Sequence, residues 1–241
     1  MGKLGSISQK KYNVILVVLI TAFIAVGLLV FKDIKKIYDC KNIYKNIEKQ
    51  CVSSGGNDGG KKIDWEKLKK INSDIAAWIY IPGTPIDYPV VRTKDSDYCL
   101  THDINNTYSK YGSIFIDERL YDNPFRSRNL IVYGHNMGRW SDVMFGSLTA
   151  YKEPDYLKKH QKVYLYTPED VKKYRAGKVS EVMPDSDVYR TVFAGKKAFQ
   201  SWAADILSFS VREKAEQVLT LSTCTYDGTK RIVLHCVEEK Q

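Results

Sequence analysis

The chain has 241 residues and a formal net charge of +9, with 44% apolar and 27% charged residues. That composition excludes a disordered or collagen-like chain, and five cysteines exclude a disulfide-dense scaffold, since an odd number cannot all pair within one chain. A cationic excess attracts nucleic acid or an anionic membrane surface, and charge alone does not separate the two.

The position of the charge is more informative. Residues 1–60 carry a net +5 and residues 61–241 a net +4. Most of the excess therefore flanks the strongest hydrophobic feature, the 18 uncharged residues Val14–Phe31. As a helix this run spans about 27 Å, enough to cross a bilayer core with slight stretching. A cleavable signal peptide would have a shorter apolar region, about 7–15 residues, ending in a small-x-small site. Here the run ends Leu28-Leu29-Val30-Phe31 and meets Lys32. The expectation is a short tail (residues 1–13) followed by an uncleaved membrane anchor (residues 14–31). Lys3, Lys10 and Lys11 lie before it, and Lys32, Lys35, Lys36, Lys41 and Lys45 after it, so the positive-inside count leaves the orientation open. A short tail and a long C-terminal globule fit a cytoplasmic N-terminus.

Residues 32–60 divide into two parts. Asp33 to Gln50 reads as a polar helix whose Ile34, Ile37, Tyr44 and Ile47 share a face. Ser53 to Gly60, SSGGNDGG, has the composition of a flexible linker. The catalytic or binding unit is expected from residue 61 to 241. Asp64 can cap a helix running to Ala77. After it come short runs rich in Val, Ile and Tyr: Trp78–Ile81, Ile86–Val91, Ser113–Ile116, Leu130–Tyr133, Val163–Tyr166, Val218–Leu221 and Ile232–Val237. One helix intervenes near Lys196 to Leu207. Strands at this spacing suggest a β-barrel or sandwich.

Few residues can serve as nucleophiles, and Cys224 stands out because it follows the predicted strand directly. A strand end presents a side chain rigidly at a barrel rim. The thiolate is the reactive form, so such a cysteine needs a cationic neighbour or a base; its commoner role is structural. His135 follows the strand Asn129–Tyr133 and Gly134, and Gly134 allows an unusual backbone turn. Arg231 opens the last strand after the turn Asp227-Gly228-Thr229-Lys230. A hairpin would set it beside Cys224, where a guanidinium could bond a carbonyl or oxyanion. A solvated strand-end arginine is the alternative. His102 and His160 read as surface residues. A zinc site from Cys224, His235 and Cys236 is disfavoured, because adjacent strand residues point to opposite faces.

Together these residues match a family. Thr220-Leu221-Ser222-Thr223-Cys224, followed seven residues on by Arg231-Ile232-Val233, resembles the sortase signature TLxTC…R. Tyr133-Gly134-His135-Asn136-Met137 resembles its histidine motif. The runs Trp78 to Val91 and Gly112-Ser113-Ile114-Phe115-Ile116-Asp117 are similar to class B sortases in particular. The resemblance covers roughly residues 64–237. Glu169 to Ala194 matches no family motif, so no substrate contact is carried onto it.

The resemblance implies a mostly β fold: an eight-stranded sortase-type β-barrel with added helices, preceded by one transmembrane helix. It implies a cysteine transpeptidase with Cys224 as nucleophile, His135 as general acid and base, and Arg231 stabilising the carbonyl oxygen. Ser222 matches a position close to the substrate. No metal or organic cofactor enters this chemistry. The implied partners are surface proteins bearing a C-terminal sorting signal and the amine of a peptidoglycan precursor, with the catalytic domain outside the cell. A cysteine protease that hydrolyses the acyl-enzyme would use the same residues. A non-enzymatic binding module would not need the thiol. Nucleic-acid binding lacks any supporting basic-aromatic motif.

Overall fold

The computed structural model describes residues 9–55, 60–138, 141–207 and 215–239. The expected anchor and the expected polar helix form one continuous helix, α1 (Gln9–Cys51). Residues 14–31 are exposed along its whole apolar part, and α1 holds a window of mean hydropathy 3.2, long and apolar enough to cross a membrane. The chain divides into two compact units between Asn42 and Ile43.

The last turns of α1 belong to the second unit. Tyr44, Ile47 and Cys51 are buried and recur at helical spacing on one face. The Tyr44 hydroxyl donates to the Gly112 carbonyl at 3.1 Å, and its ring meets Tyr88 edge-on at 5.2 Å. Strand β1 (Val52–Ser54) pairs antiparallel with β2 (Lys61–Ile63). The first two residues of the expected linker, Ser53 and Ser54, are therefore strand; its residues 56–59 lie outside the described residues. From β2, Lys61 donates to Glu48 of α1 at 2.9 Å and to Asp87 at 2.5 Å. Burial pushes the Asp87 carboxyl up to about 6, against the opposing pull of Lys61 and of the Trp78 indole N–H.

Asp64 caps α2 (Trp65–Ile71) as expected, accepting from the Lys67 N–H at 3.0 Å. The helix does not run to Ala77. Asn72 is extended; its side chain accepts from the Asp74 N–H and donates to the Ile104 carbonyl. Such local side-chain bonding competes with helical bonding. Residues from Ile75 onward instead open the barrel.

The barrel strands are β3 (Ile75–Tyr80), β4 (Asp87–Arg92), β5 (Ile114–Ile116), β6 (Asn129–Tyr133), β7 (Lys162–Tyr166), β8 (Val171–Val182), β9 (Val218–Cys224) and β10 (Arg231–Glu238). They close in the order β10-β8-β7-β3-β4-β5-β6-β9. Seven were expected from composition. The eighth, β8, lies in the unmatched stretch Glu169 to Ala194. Its sequence VKKYRAGKVSEV buries only Tyr174 and Ala176, so it lacks the apolar run that marks the others. Gly177 falls in a bulge where the register against β10 shifts between His235 and Cys236.

Three short helices decorate the barrel: α3 (Ser96–Thr101), α4 (Pro154–Lys159) and α5 (Lys196–Ile206). Helix α5 packs Phe199, Trp202 and Ala203 with Leu207, Val218 and Val237, which lie on or beside the strands that carry the site.

The packing of α1 yields a test. A chain starting at residue 43 keeps Tyr44, Ile47 and β1; one starting at 61 loses them. Each buried side chain contributes about 1.5–3 kcal/mol, and about 1 kcal/mol corresponds to roughly 2–4 °C at this size. The shorter chain should melt about 10 °C lower by circular dichroism. Equal melting temperatures would show that α1 adds nothing to the barrel unit.

Candidate active site

Strand β9 lies between β6 and β10, and β6 ends and β10 begins at the rim where β9 ends. Against β10 it is antiparallel, with Cys224 directly opposite Arg231 and Ser222 opposite Val233. Cross-strand partners share a face, so the thiol and the guanidinium project to the same side. The turn between them is tight. The Asp227 carboxylate accepts from the Thr225 hydroxyl at 2.6 Å and from the Thr229 N–H at 3.1 Å, while Gly228 takes a positive φ of 73°. The hairpin expected around the turn Asp227 to Lys230 is therefore present.

Against β6, β9 runs parallel, with Tyr133 paired to Ser222. The Gly134 N–H extends this ladder to the Ser222 carbonyl at 3.1 Å. His135 then follows at the level of the cysteine end. Gly134 is needed for space and not for an unusual φ, which corrects the sequence expectation. A Cβ there would lie 2.4 Å from Ile114 Cδ1 and 2.8 Å from Phe145 Cγ.

One cleft of about 740 Å³ is lined by Cys224, His135, Arg231 and Ser222 together. Two further stretches of its wall are Leu100, Phe115, Asp117 and Arg119, and Pro184 to Asp187 with Tyr189 and Arg190. His135 Nε2 donates to the Leu100 carbonyl at 2.8 Å, since a carbonyl can only accept. That leaves Nδ1 as the ring nitrogen available for proton transfer. Arg231 Nη1 donates to the Gly228 and Lys230 carbonyls at 3.2 and 3.1 Å, so Nε and Nη2 remain as donors for a ligand.

The thiols are sharply divided by burial. Cys40, Cys51, Cys99 and Cys236 are buried, whereas Cys224 is half-exposed. Burial pushes the Cys99 thiol up to about 11 and raises those of Cys51 and Cys236 as well. The other candidate metal ligand, His235, is fully buried and its pKa falls to about 3, chiefly through burial. It is neutral, and its Nδ1 sits 3.2 Å from Thr220 Oγ1.

Ser222 lines the cleft but is itself buried, with its Oγ 2.8 Å from the Tyr189 hydroxyl. Three contributions escaped the sequence expectations. Asn136 donates through Nδ2 to the Cys224 carbonyl at 2.9 Å and accepts from the Gly138 N–H, tying the histidine loop to the cysteine. Its place beside His135 was the available signal. Tyr189 lies in the unmatched stretch and carried none. Asp117, the last residue of the quoted run from Gly112, accepts from Arg119 and from the Tyr133 hydroxyl.

A sortase domain family model matches residues 79–239. Sortase B of Listeria monocytogenes is 31% identical over 192 residues, covering 77% of this chain and 75% of the relative. The crystal structure of Clostridium perfringens sortase B superposes with a TM-score of 0.65 at 31% identity, covering 73% of this chain and 100% of that one. Sortase B from B. anthracis gives a TM-score of 0.68 at 27% identity, covering 88% and 98%. The closed eight-stranded barrel is the fold that these proteins share with it. This chain belongs to the sortase family, as a cysteine transpeptidase of the sortase B type.

Proposed function

We propose that this protein is a single-pass membrane enzyme that cleaves a C-terminal sorting motif after Thr and transfers the acyl group to an amine of a cell-wall precursor. The observation that carries this is the cross-strand pair Cys224–Arg231 sharing one cleft with His135. The Cys224 thiolate attacks the carbonyl carbon of the Thr residue. As the S–C bond forms, negative charge develops on the carbonyl oxygen, and Arg231 donates N–H groups to it. His135, as imidazolium, gives its proton to the leaving amine while the C–N bond breaks. The thioester that remains is attacked by the acceptor amine. His135 takes the amine's proton, the thiolate departs, and a new amide is formed. Ser222 takes part in substrate binding through Tyr189, to which its hydroxyl is bonded.

In this proposal residues 14–31 of α1 cross the membrane with the N-terminus inside and the barrel outside, where both substrates arrive. Lysines on either side of the span meet anionic headgroups. Tethering raises the effective concentration of enzyme at the surface. The substrates are surface proteins with a C-terminal sorting signal.

The test uses the full chain in detergent. Pentapeptides with Thr at the fourth position and varied first two positions are incubated with and without hydroxylamine. The expected outcome is a thioester-linked mass on Cys224, absent in Cys224→Ala, and a hydroxamate product that appears only with the amine. Hydrolysis at a rate and yield unaffected by the amine would make the protein a protease, and activity retained in Cys224→Ala would remove the thiol mechanism.

Arg231→Lys keeps the charge but loses the planar fork. Peptide turnover should fall about 100-fold, the scale of one lost oxyanion donor, while iodoacetamide still alkylates Cys224 at close to the wild-type rate. Near-normal turnover would exclude Arg231 from the transition state.

A further inference from the structure

We propose that Arg119 is a strut that fixes the spacing between these two stretches of cleft wall, and so sets the affinity for the peptide donor. This rests on the donor-peptide reading of the cleft given above.

The geometry is a closed circuit. Arg119 follows β5 in the first stretch of cleft wall. Its Nε and Nη2 donate to both Asp117 oxygens, at 2.9 and 2.6 Å, and its backbone N–H donates to Asp117 Oδ1 at 3.0 Å. The same Nη2 donates to the carbonyl of Tyr189, in the second stretch of cleft wall, at 3.1 Å. Tyr189 then bonds Ser222 through its hydroxyl at 2.8 Å, and Tyr133 donates to Asp117 Oδ2 at 2.9 Å. Tyr133 and Ser222 are register partners in the β6–β9 ladder, which closes the ring. These two residues lie two positions before His135 and Cys224 respectively. The circuit therefore joins both catalytic strands and both stretches of wall.

Asp117 holds the strut from below. Burial alone would push its carboxyl up, but the Arg119 and Tyr133 hydrogen bonds outweigh it and keep the group ionised, below the usual carboxylate range. The segment around Tyr189 has further anchors behind it. Asn129 Nδ2 donates to the Val188 and Arg190 carbonyls, and the Trp202 indole donates to the Asp187 carbonyl. Those bonds hold the segment to the barrel and to α5. Arg119 bonds it to the stretch that follows β5, and its side chain is half-exposed in the cleft lining. A bidentate fork that also spans to a third acceptor is beyond a lysine ammonium.

Arg119 is thus a positioning residue that acts through Tyr189 and not on the reacting atoms. The test compares Arg119→Gln and Arg119→Lys in the full chain. Binding of the fluorescent pentapeptide chosen in the screen is read by anisotropy in a Cys224→Ala background. KM and kcat are read with Cys224 present. Both substitutions should weaken binding and raise KM about tenfold, the worth of one charged hydrogen bond. The kcat and the rate of Cys224 alkylation by iodoacetamide should stay within about twofold. Tyr189→Phe combined with Arg119→Gln should cost less than the product of the single effects, because both cut one circuit. Unchanged affinity in both Arg119 variants overturns the proposal. So does a loss confined to kcat, or full multiplicativity in the double variant. Peptide binding by Cys224→Ala with no thioester in the wild type would refute the transpeptidase chemistry while leaving the affinity comparison to stand.

Discussion

Strand β9 hydrogen-bonds on both sides at once, parallel to β6 and antiparallel to β10, and the site depends on that double register. A slip of one residue would turn every β9 side chain to the other face and separate the thiol from Arg231. The side chains of β9 guard against it. Thr220, Ser222 and Cys224 share one face, and Leu219, Leu221 and Thr223 the other. On the polar face, Thr220 donates to Asn129 Oδ1 at 2.6 Å and Ser222 bonds Tyr189. A slipped strand would set leucines against Asn129 and Tyr189 and leave buried polar groups without partners, a cost of about 1–3 kcal/mol for each.

The same network sorts the histidines. His235 receives its one hydrogen-bond partner from β9 and stays neutral in the barrel wall, with Nε2 unpartnered among the described residues. His102 stacks on Tyr98 at 3.9 Å, and His160 is bonded to the Pro82 carbonyl at 3.0 Å. Each of these rings has a structural use away from the cleft. His135 alone of the four lines it, held to the Leu100 carbonyl through one ring nitrogen.

The barrel, and the meeting of Cys224, His135 and Arg231 in one cleft, were legible in the sequence because both depend on short, local patterns. Apolar strands bounded by turn residues gave seven of the eight barrel strands, and the cysteine, histidine and arginine each stand at a strand end. Strand β8 was not legible, because charged residues interrupt any apolar run and its place is fixed by β7 and β10. The helix expected to reach Ala77 failed for a related reason: Asn72 bonds to Ile104, a partner 32 positions away. The continuity of α1 across the change from apolar to polar composition was hidden too, since two patterns of different polarity can share one backbone helix. Gly134 shows the same limit on a single residue. Its need for no side chain is set by Ile114 and Phe145, which no local pattern names.

The thiol chemistry depends as much on burial as on the residues beside Cys224. Five thiols in one chain would compete for any electrophile, and the thiolate is the species that reacts. Burial raises Cys51, Cys99 and Cys236, so that at neutral pH they remain protonated and out of reach. Cys224 is half-exposed, at the last position of β9. One residue earlier, Thr223 is buried, and a cysteine in its place would face the opposite side of the sheet. The strand's length thus decides which thiol meets solvent, and the register with β10 decides which cation it meets there. Both follow from backbone pairing, so the reactivity of one sulfur is set by the closure of the whole barrel.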